Sequence, residues 1–534
     1  MLRTGIALGC FTALASLALA AACSSTTDDC NNTSTCVPAG GSSSGNAGSG
    51  SSGKSGSSNG GSASGDAGET SGGSTSGGGS SGTAGTSGTD AGAGGGGLGG
   101  CDSTKSPLDE PCLVSDDYAV FVAPTGDDKG AGSKDNPLAS ITKAVEVAAN
   151  DKVVLVCSGT YDEHVSITAG AHIFGGFKCT DWSADNAKPS FKPTTAGPAL
   201  KIDTATDEVV VDTIAFEVGD ATGAGETSLA ALVNASPKVT LRAVSLTAGK
   251  GKTGANGTLA PFTLPARSEL DGNSAIVTAG GMPKVVQCPG GAETSGGIGG
   301  TAAPTGQSGG LGAPDLDGPG GEPGQAGMAC GSGGTGLTGA NAPDAPAADG
   351  AKVLGTLTAL GWSSGNGGDG ANGSPGQGGG GGASSKTGGG GGGGAGACGG
   401  AGAKGGHGGG GSIALAVLNS TVSIEASNLV AKDAGNGGGS TDGQPGDKGE
   451  GGFAGNPGPG ACQGGSGGLG GNGAAGGGGA GGISAGIIWK GAMAPTVSAD
   501  TTTAIGKAGA MGVGGVPGGN NGIAGVAQKV LPLN

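Results

Sequence analysis

Short runs of apolar and β-branched residues alternate with turn-forming residues through the middle of the chain. The earliest runs occupy residues 118–123, 152–157, 164–168 and 172–174, and Gly, Asn, Asp or Pro residues lie between them. Short runs of this kind between turn signals predict β-strands. The run at 152–157 is apolar after its first residue, which predicts a strand buried on both faces. Two-residue hairpin turns are missing between the runs, so the pattern favours parallel strands wound into a solenoid.

One amphipathic helix is expected among these strands. Residues 139–149 place Ile141, Ala144, Val145 and Ala148 on one helical face. Further apolar runs predict strands at residues 199–202, 208–216, 229–233, 238–241 and 244–246. The helix and the strands together predict an all-β fold with one short helix.

An internal repeat recurs along the second half of the chain. Its copies begin at Ser228, Ser412 and Ile483, and each predicts a strand, a turn, one or two more strands and a Lys/Ala/Gly exit. Repeats of one supersecondary unit stack to share a core. The three copies therefore predict successive coils of one solenoid, continuous in space although glycine-rich segments separate them in sequence.

Glycine recurs at every third position within those separating segments. The register holds from 443 to 482, from 297 to 339 and from 367 to 409, with few interruptions. The interruptions are Ala461; Ala303, Asp315 and Cys330; and Ser385, Ala397 and Ala403. A left-handed extended helix has three residues per turn, so glycine at every third position frees one edge for close contact between backbones.

The glycine period allows two interpretations. Proline accounts for only 26 residues, which argues against a collagen triple helix. We expect polyglycine-II-like segments that pack against each other within one chain. Four cysteines, Cys288, Cys330, Cys398 and Cys462, would staple them. Disordered low-complexity loops are the alternative, because fixing glycine residues carries a large entropic penalty.

Four short motifs in residues 118–177 carry a family resemblance. They are VAPTG at 122–126, NPLASI at 136–141, GTYDE at 159–163 and GGF at 175–177. These motifs resemble the N-terminal part of right-handed parallel β-helix proteins of the pectin-lyase-like superfamily. The resemblance implies a right-handed parallel β-helix, here interrupted by glycine-rich period-three excursions. Members include lyases, hydrolases and non-catalytic surface proteins, so the resemblance implies no particular activity.

The pattern of residues 1–22 predicts that the protein is exported. Residues 1–22 contain one arginine, an apolar run and small residues, as a secretory signal peptide does. Residues 19–25 resemble a bacterial lipoprotein cleavage site that leaves Cys23 as the lipidated N-terminus, with the leucine four rather than three residues before the cysteine. Ordinary cleavage with Cys23 in a disulfide is the alternative. Ser24 in place of an aspartate implies, by resemblance, an outer-membrane lipoprotein that faces the cell surface or the periplasm.

Composition shifts predict the domain plan. Residues 40–100 are almost entirely Gly, Ser, Ala, Thr and Asp, which cannot bury apolar surface and suit a flexible tether. The plan is: 1–22 signal peptide, 23–100 lipid-anchored tether, 101–250 N-terminal cap and first coils, 251–411 glycine-rich excursion, 412–432 coil, 433–482 second excursion, 483–534 last coils and C-terminal tail.

Net charge and aromatic content narrow the range of partners. A formal charge of −16 makes nucleic acid an unexpected partner, because phosphate would be repelled. Aromatic residues make up only 2% of the chain, which argues against an aromatic-walled sugar groove. The expected partners are a lipid bilayer, through the lipid on Cys23, and an extracellular polysaccharide or matrix.

The cysteines predict a disulfide framework. Of 12 cysteines, Cys10 lies in the signal peptide, and lipidation of Cys23 would leave an even number in an exported protein. Cys157 and Cys179 are about one coil apart, and stacked strands bring Cα atoms within disulfide range. We predict that pair, with Cys101–Cys112 and Cys30–Cys36 as further local pairs.

Candidate catalytic residues are few. Asp162, Glu163 and His164 are adjacent and could form an acid–base cluster. They coincide with the GTYDE turn and the strand after it, where alternate residues face solvent, so a structural role is favoured. A Gly-His-Gly sequence at 406–408 is similar to one in polygalacturonase-like β-helix enzymes, but its usual companion motifs are missing and coincidence is the favoured explanation.

Metal-binding signals are weak. Asp127, Asp128 and Asp135 could supply oxygen ligands to calcium, although a solvated turn is the favoured interpretation. The chain has three histidines and no spacing typical of a zinc site. We expect no other cofactor.

Three classes of function fit the sequence to different degrees. The favoured hypothesis is a non-catalytic cell-surface lipoprotein with a structural, adhesive or glycan- or matrix-binding role. The alternative is a polysaccharide lyase or hydrolase of the pectin-lyase-like fold, which would need acids and basic residues on one face of adjacent coils. Binding to ice or a mineral surface is a third, weaker hypothesis, based on the period-three glycines and the threonines at 501–503.

Overall fold

A computed structural model describes residues 101–102, 105–148, 152–449 and 451–533. The predicted signal peptide, the lipidation site at Cys23, the Cys30–Cys36 pair and the tether lie outside the described residues.

The described chain is mostly strand and extended segment. In chain order its elements begin with a 3-10 helix at Pro111–Leu113, β1 Ala119–Val122, α1 Ile141–Ala148, β2 Val153–Cys157, β3 Thr160–Tyr161, β4 Val165–Ile167, β5 Ala171–Phe177, β6 Ser190–Phe191, β7 Leu200–Asp203, β8 Val209–Asp212, β9 Ala215–Glu217, β10 Ser228–Asn234, β11 Val239–Arg242 and β12 Ser245–Thr247. They continue with 3-10 helices at Arg267–Glu269 and Cys330–Ser332, β13 Val285–Gln287, β14 Glu293–Ser295, β15 Gly355–Thr358, β16 Gly361–Ser364, β17 Ser412–Leu418, β18 Val422–Glu425, β19 Asn428–Val430, β20 Ser484–Lys490, β21 Thr496–Val497, β22 Thr502–Ala504 and β23 Ala527–Pro532.

Three long sheets account for all but four of these strands. The first sheet has the order β1-β2-β5-β8-β11-β18-β21, the second β3-β6-β9-β12-β19-β22 and the third β4-β7-β10-β17-β20-β23. The paired strands within each sheet are parallel. The chain visits the first, second and third sheets in turn, so each set of three strands forms one coil of an all-β solenoid. Its interior is a continuous apolar core that includes Ile173, Val211, Leu241 and Ile424.

The strand prediction is confirmed in outline and corrected in detail. The predicted run at 208–216 is two strands, β8 and β9, because Thr213 between them has a left-handed backbone with φ 57°. Thr160, predicted to be part of a turn, begins β3. The three repeat copies stack directly, with Leu229 beside Ile413 and Ile413 beside Ala485.

The corners of the solenoid differ in the length of the connections between strands. From β7 onward, the connections from the third to the first sheet and from the first to the second contain two to five residues. Most hold one non-glycine residue with positive φ: Thr204, Thr213, Ala235, Ala243, Asn419 and Ala426. Each such kink turns the chain within one residue, at a steric penalty of about 1–2 kcal/mol. The remaining corner, from the second to the third sheet, carries every long segment after β7; we call it the open corner.

Three glycine-rich segments leave and return at the open corner. They connect β12 to β17 (residues 248–411), β19 to β20 (431–483) and β22 to β23 (505–526). We call them together the glycine bundle. The third segment lies within the range 483–534 that the sequence assigns to the last coils and tail.

Backbone hydrogen bonds in the glycine bundle recur every three residues. The N–H groups of Gly367, Gly370, Gly373, Gly376, Gly379 and Gly382 donate to the carbonyls of Gly406, Ala403, Gly400, Ala397, Gly394 and Gly391, at 2.8–2.9 Å. The pairs run in opposite directions with a constant step of three. This step distinguishes the arrangement from a β-ladder, in which alternate residues pair with one neighbour.

Interior segments of the bundle contact three neighbours rather than two. The N–H groups of Gly379, Gly380 and Gly381 donate to Gly394, Leu337 and Gly310, which lie in three different stretches of the first glycine-rich segment. Because neighbours approach on every edge, a Cβ atom added at any glycine of 378–382 or 388–394 would lie within 3.0 Å of another atom. This explains why glycine is continuous at 378–382 and 388–394, while outer segments need it at only one position in three.

Polar side chains complete the pairing at the bundle surface. Asn366, Asp369 and Asn372 recur every three residues and accept the N–H groups of Gly408, Gly405 and Gly402 at 2.8, 2.9 and 3.0 Å. A hydrogen bond from Lys404 and the N–H of Gly405 hold the pKa of Asp369 below its usual value. These side chains supply acceptors to N–H groups that face outward from the segments.

Interruptions of the glycine register mark where segments turn. Ala303, Cys330, Ser385 and Ala461 each lie in or beside a reversal of the chain direction. Ala397 and Ala403 lie instead within a straight segment and are fully buried, so single methyl groups fit at those sites.

Four disulfides occur among the described residues. Cys101–Cys112 and Cys157–Cys179 are the two local pairs that the sequence suggests in this part of the chain. Cys288–Cys398 and Cys330–Cys462 join segments of the glycine bundle over separations of 110 and 132 residues. The last two pairs tie together the parts of the chain that have the fewest apolar side chains.

A cleft at the open corner

A β-hairpin from the first glycine-rich segment covers part of the third sheet. Leu357 on β15 lies opposite Trp362 on β16. Both side chains are buried against Leu229 and Ile413 on the outer face of the sheet. Strands β10 and β17 are therefore buried on both faces, inside by the solenoid core and outside by the hairpin.

A cleft remains between the hairpin and the loops of the open corner. Its volume is about 440 Å³, and its walls include Pro198, Thr227, Leu229, Leu360 and Trp362. Leu360, at the tip of the hairpin, is 92% exposed. The cleft adjoins a smaller polar recess of about 100 Å³, whose walls include Thr194, Thr195 and Asp220. Apolar and polar surfaces thus meet along one groove.

Glu226 lies where the cleft and the recess meet and lines both. Its Oε2 atom accepts the N–H groups of Thr222 at 2.9 Å and Gly223 at 2.6 Å. Within the described residues, its Oε1 atom has no hydrogen-bond donor. One side of this carboxylate therefore fixes the loop, and the other is free to face a ligand.

Asp162 and His164 form the layer behind the recess. Asp162 accepts the backbone N–H of Thr194 at 2.9 Å and its hydroxyl at 3.0 Å. The Nδ1 atom of His164 lies 2.8 Å from the carbonyl of Pro198, and its Nε2 atom lies 2.8 Å from the hydroxyl of Thr195. Because a carbonyl only accepts, Nδ1 of His164 is the donor to Pro198. Both residues hold a cleft loop in place.

Glu163 points to the helix rather than to the cleft. Its carboxylate accepts the N–H groups of Ile141 at 3.0 Å and Thr142 at 2.9 Å, and the Thr142 hydroxyl at 2.7 Å. These are free donors at the start of α1, where negative charge is favourable. Asp162 and His164 therefore hold a cleft loop, whereas Glu163 holds the start of α1. The three adjacent residues do not form one acid–base group.

The loop aspartates also contact the backbone. Asp128 accepts the N–H groups of Ala139 and Ser140, each at 2.9 Å. Asp127 accepts the N–H of Lys129 at 3.0 Å. Across the described residues, no group of three or more His, Cys, Asp or Glu side chains is placed to hold a metal ion.

Within the part of the chain that the structure describes, no helix has the length and hydropathy that crossing a membrane requires.

Leu360, Trp362 and Glu226 line the cleft, and sequence analysis singles out none of them. Leu360 and Trp362 belong to an island, residues 355–364, inside a glycine-rich segment. Its alternation of apolar and polar residues around Leu357 and Trp362 is the one signal of a hairpin there. Glu226 carries no sequence signal, because its role depends on which segment returns to cover the corner.

Comparisons with known proteins identify one family. Residues 124–175 match a family described as Protein of unknown function (DUF1565), which is associated with parallel β-helix proteins. The matched stretch runs from the loop after β1 through α1 into β5. It includes Glu163, whose carboxylate accepts the N–H groups at the start of α1. No curated protein and no solved structure matches the chain.

Proposed function

We propose that the chain is a non-catalytic cell-surface lipoprotein with a structural, adhesive or glycan- or matrix-binding role. Its body is a right-handed parallel β-helix, and its glycine-rich segments are polyglycine-II-like. In this proposal the protein is exported, the lipid on Cys23 anchors it in the outer membrane, residues 23–100 are the tether, and the partner is an extracellular polysaccharide or matrix.

The main support for the proposal is that the candidate acids already form hydrogen bonds within the protein. General acid–base catalysis needs a carboxylate or imidazole within reach of a substrate proton. Asp162 and Glu163 instead accept backbone and hydroxyl donors, and both nitrogens of His164 have protein partners. A reacting group would have to break contacts that position α1 and the corner loops.

The glycine bundle supports a role in display. Several of its turns meet at the end away from the open corner: Ser385 Oγ donates to the carbonyl of Pro459 at 2.7 Å, and the N–H of Gly389 donates to Val277 at 2.8 Å. Ile276 and Val277 are exposed at one of these turns. A bundle of paired segments that ends in clustered turns suits contact with a surface.

The proposal is tested by retention and cleavage on polysaccharides. The full chain is incubated with neutral and acidic polymers, with and without calcium, and retained protein and new chain ends are both measured. We expect retention on at least one polymer and no new chain ends. The Asp162→Asn and Glu163→Gln variants should behave like the parent protein and release no chain ends.

One outcome would contradict the proposal, and a second would narrow it. Release of chain ends that the Asp162→Asn variant abolishes would make the chain a lyase or hydrolase. Absence of both retention and cleavage on every polymer would remove the glycan- or matrix-binding role and leave a structural one.

A further inference from the structure

We infer that the cleft at the open corner binds a primary ammonium group carried on a small apolar or sugar frame. The inference rests on the proposed binding role and adds a ligand class to it. The shared chemistry is the ammonium; an amino sugar and an aliphatic amine are two sources of it.

The free oxygen of Glu226 supplies the principal contact. The loop donors from Thr222 and Gly223 occupy Oε2 and fix the orientation of the carboxylate. Oε1 lacks a donor from the described chain although the residue lines both cavities. A carboxylate oxygen of this kind forms a short, charge-assisted hydrogen bond with an ammonium.

The surrounding charges favour a cation. Asp220 lines the recess and accepts the N–H of Lys250 at 2.8 Å. Asp220 also pairs with the ammonium of Lys432, whose Nζ lies 3.8 Å from Asp220 Oδ1. Asp162 adjoins the same recess through its bond to Thr194. Carboxylates in and beside the recess attract cations and repel uronates.

The apolar wall suits the frame that carries the ammonium. Leu229, Leu360 and Trp362 are among the residues that line the cleft. Covering the exposed Leu360 side chain removes apolar surface from water. The volume of about 440 Å³ lies within the range of about 300–1,000 Å³ typical of ligand pockets.

Calorimetric titration of the full chain tests the inference. Glucosamine and butylamine are the two ammonium probes, and N-acetylglucosamine and glucuronate are the matched neutral and anionic probes. We expect binding of at least one ammonium probe and no detectable binding of glucuronate. Tighter binding of glucosamine than of butylamine identifies a sugar frame, and the reverse order identifies an aliphatic one.

Matched variants assign the contact to the cleft. Glu226→Gln keeps an oxygen for the loop N–H groups but removes the charge, and it should weaken ammonium binding about tenfold. Glu146→Gln, at an exposed ion pair on α1, should leave it unchanged. Leu360→Ser should weaken binding a few-fold by the loss of apolar contact, whereas Leu108→Ser at another exposed leucine should not.

Several results would overturn the inference. Equal binding of N-acetylglucosamine and glucosamine, no effect of Glu226→Gln, or no binding of either ammonium probe would each do so. Measuring polymer retention on the same samples distinguishes failure of the ammonium-binding inference from failure of the proposed function. Retention without ammonium binding refutes only the ligand class, and ammonium binding with cleavage of polymers refutes only the non-catalytic role.

Discussion

Replacing Gly393 by alanine is expected to destabilise the glycine bundle by about 3 kcal/mol. A Cβ atom at this position would overlap the carbonyl oxygen of Gly379 and lie 3.0 Å from the N of Gly297. These atoms are backbone groups of two neighbouring stretches of the first glycine-rich segment, so the added methyl cannot be accommodated by rotation of a side chain. The segments must separate, which weakens the 2.8 Å bond from the Gly393 N–H to Gly297. Thermal unfolding followed by circular dichroism measures the loss.

Gly331→Ala is the matched control. A Cβ atom at Gly331 would meet no heavy atom within 4 Å, and the position is exposed in a short 3-10 helix. Its replacement should change stability by less than about 1 kcal/mol and can be favourable, because alanine restricts the unfolded chain. Equal effects of the two substitutions would show that the segments around Gly393 are not in contact.

Removing the Cys288–Cys398 disulfide should lower the free energy of unfolding of the bundle by about 4 kcal/mol. The bond closes 110 residues, and a long closed loop restricts the unfolded chain strongly. The bundle depends on such constraints because fixing each glycine backbone carries an entropic penalty that few apolar side chains offset. A Cys288→Ala/Cys398→Ala double variant is compared with the parent protein by denaturant unfolding.

Cys157→Ala/Cys179→Ala is the control for this prediction. It removes a bond with a separation of 22 residues, which lies in the solenoid beside a dense apolar core. We expect a smaller loss, of about 3 kcal/mol. Hydrogen exchange should locate that loss in the first coils and leave the glycine bundle protected. If the Cys288–Cys398 variant kept the stability of the parent, the disulfide would not constrain the bundle.

The solenoid could be predicted because its signals are local and repeated. The apolar runs around β1, β2 and β4 lie within a residue or two of the predicted positions. The repeat copies at Ser228 and Ser412 pair in register. Coils of one length place equivalent residues beside each other, so sequence periodicity alone carries the stacking.

The neighbours of each glycine-rich segment could not be predicted in the same way. The period of three indicates the conformation of one segment but is identical in all of them, so it does not determine which segments touch. The continuous runs at 378–382 and 388–394 do mark the interior, because only glycine fits where neighbours approach on three edges. The pairing of Cys288 with Cys398 follows from that arrangement and not from spacing.

The cleft was the least predictable feature. Glu226 belongs to a loop of the solenoid, and Leu360 and Trp362 belong to a distant hairpin inside a glycine-rich segment. Their meeting depends on the return of that segment to the open corner. The acids that do stand out in the sequence, Asp162 and Glu163, fold the chain around the site instead of lining one catalytic centre.

Amide hydrogen exchange on the full chain tests whether the glycine bundle is ordered. We expect the N–H groups of residues 376–384 and 389–395 to exchange about a thousandfold more slowly than those of an unstructured peptide, as β17 in the solenoid also should. Protection should span consecutive residues, because successive N–H groups donate to different neighbouring stretches. Exchange at the unstructured rate throughout these residues, with β17 still protected, would contradict this arrangement and leave the glycine-rich segments as loops on a solenoid.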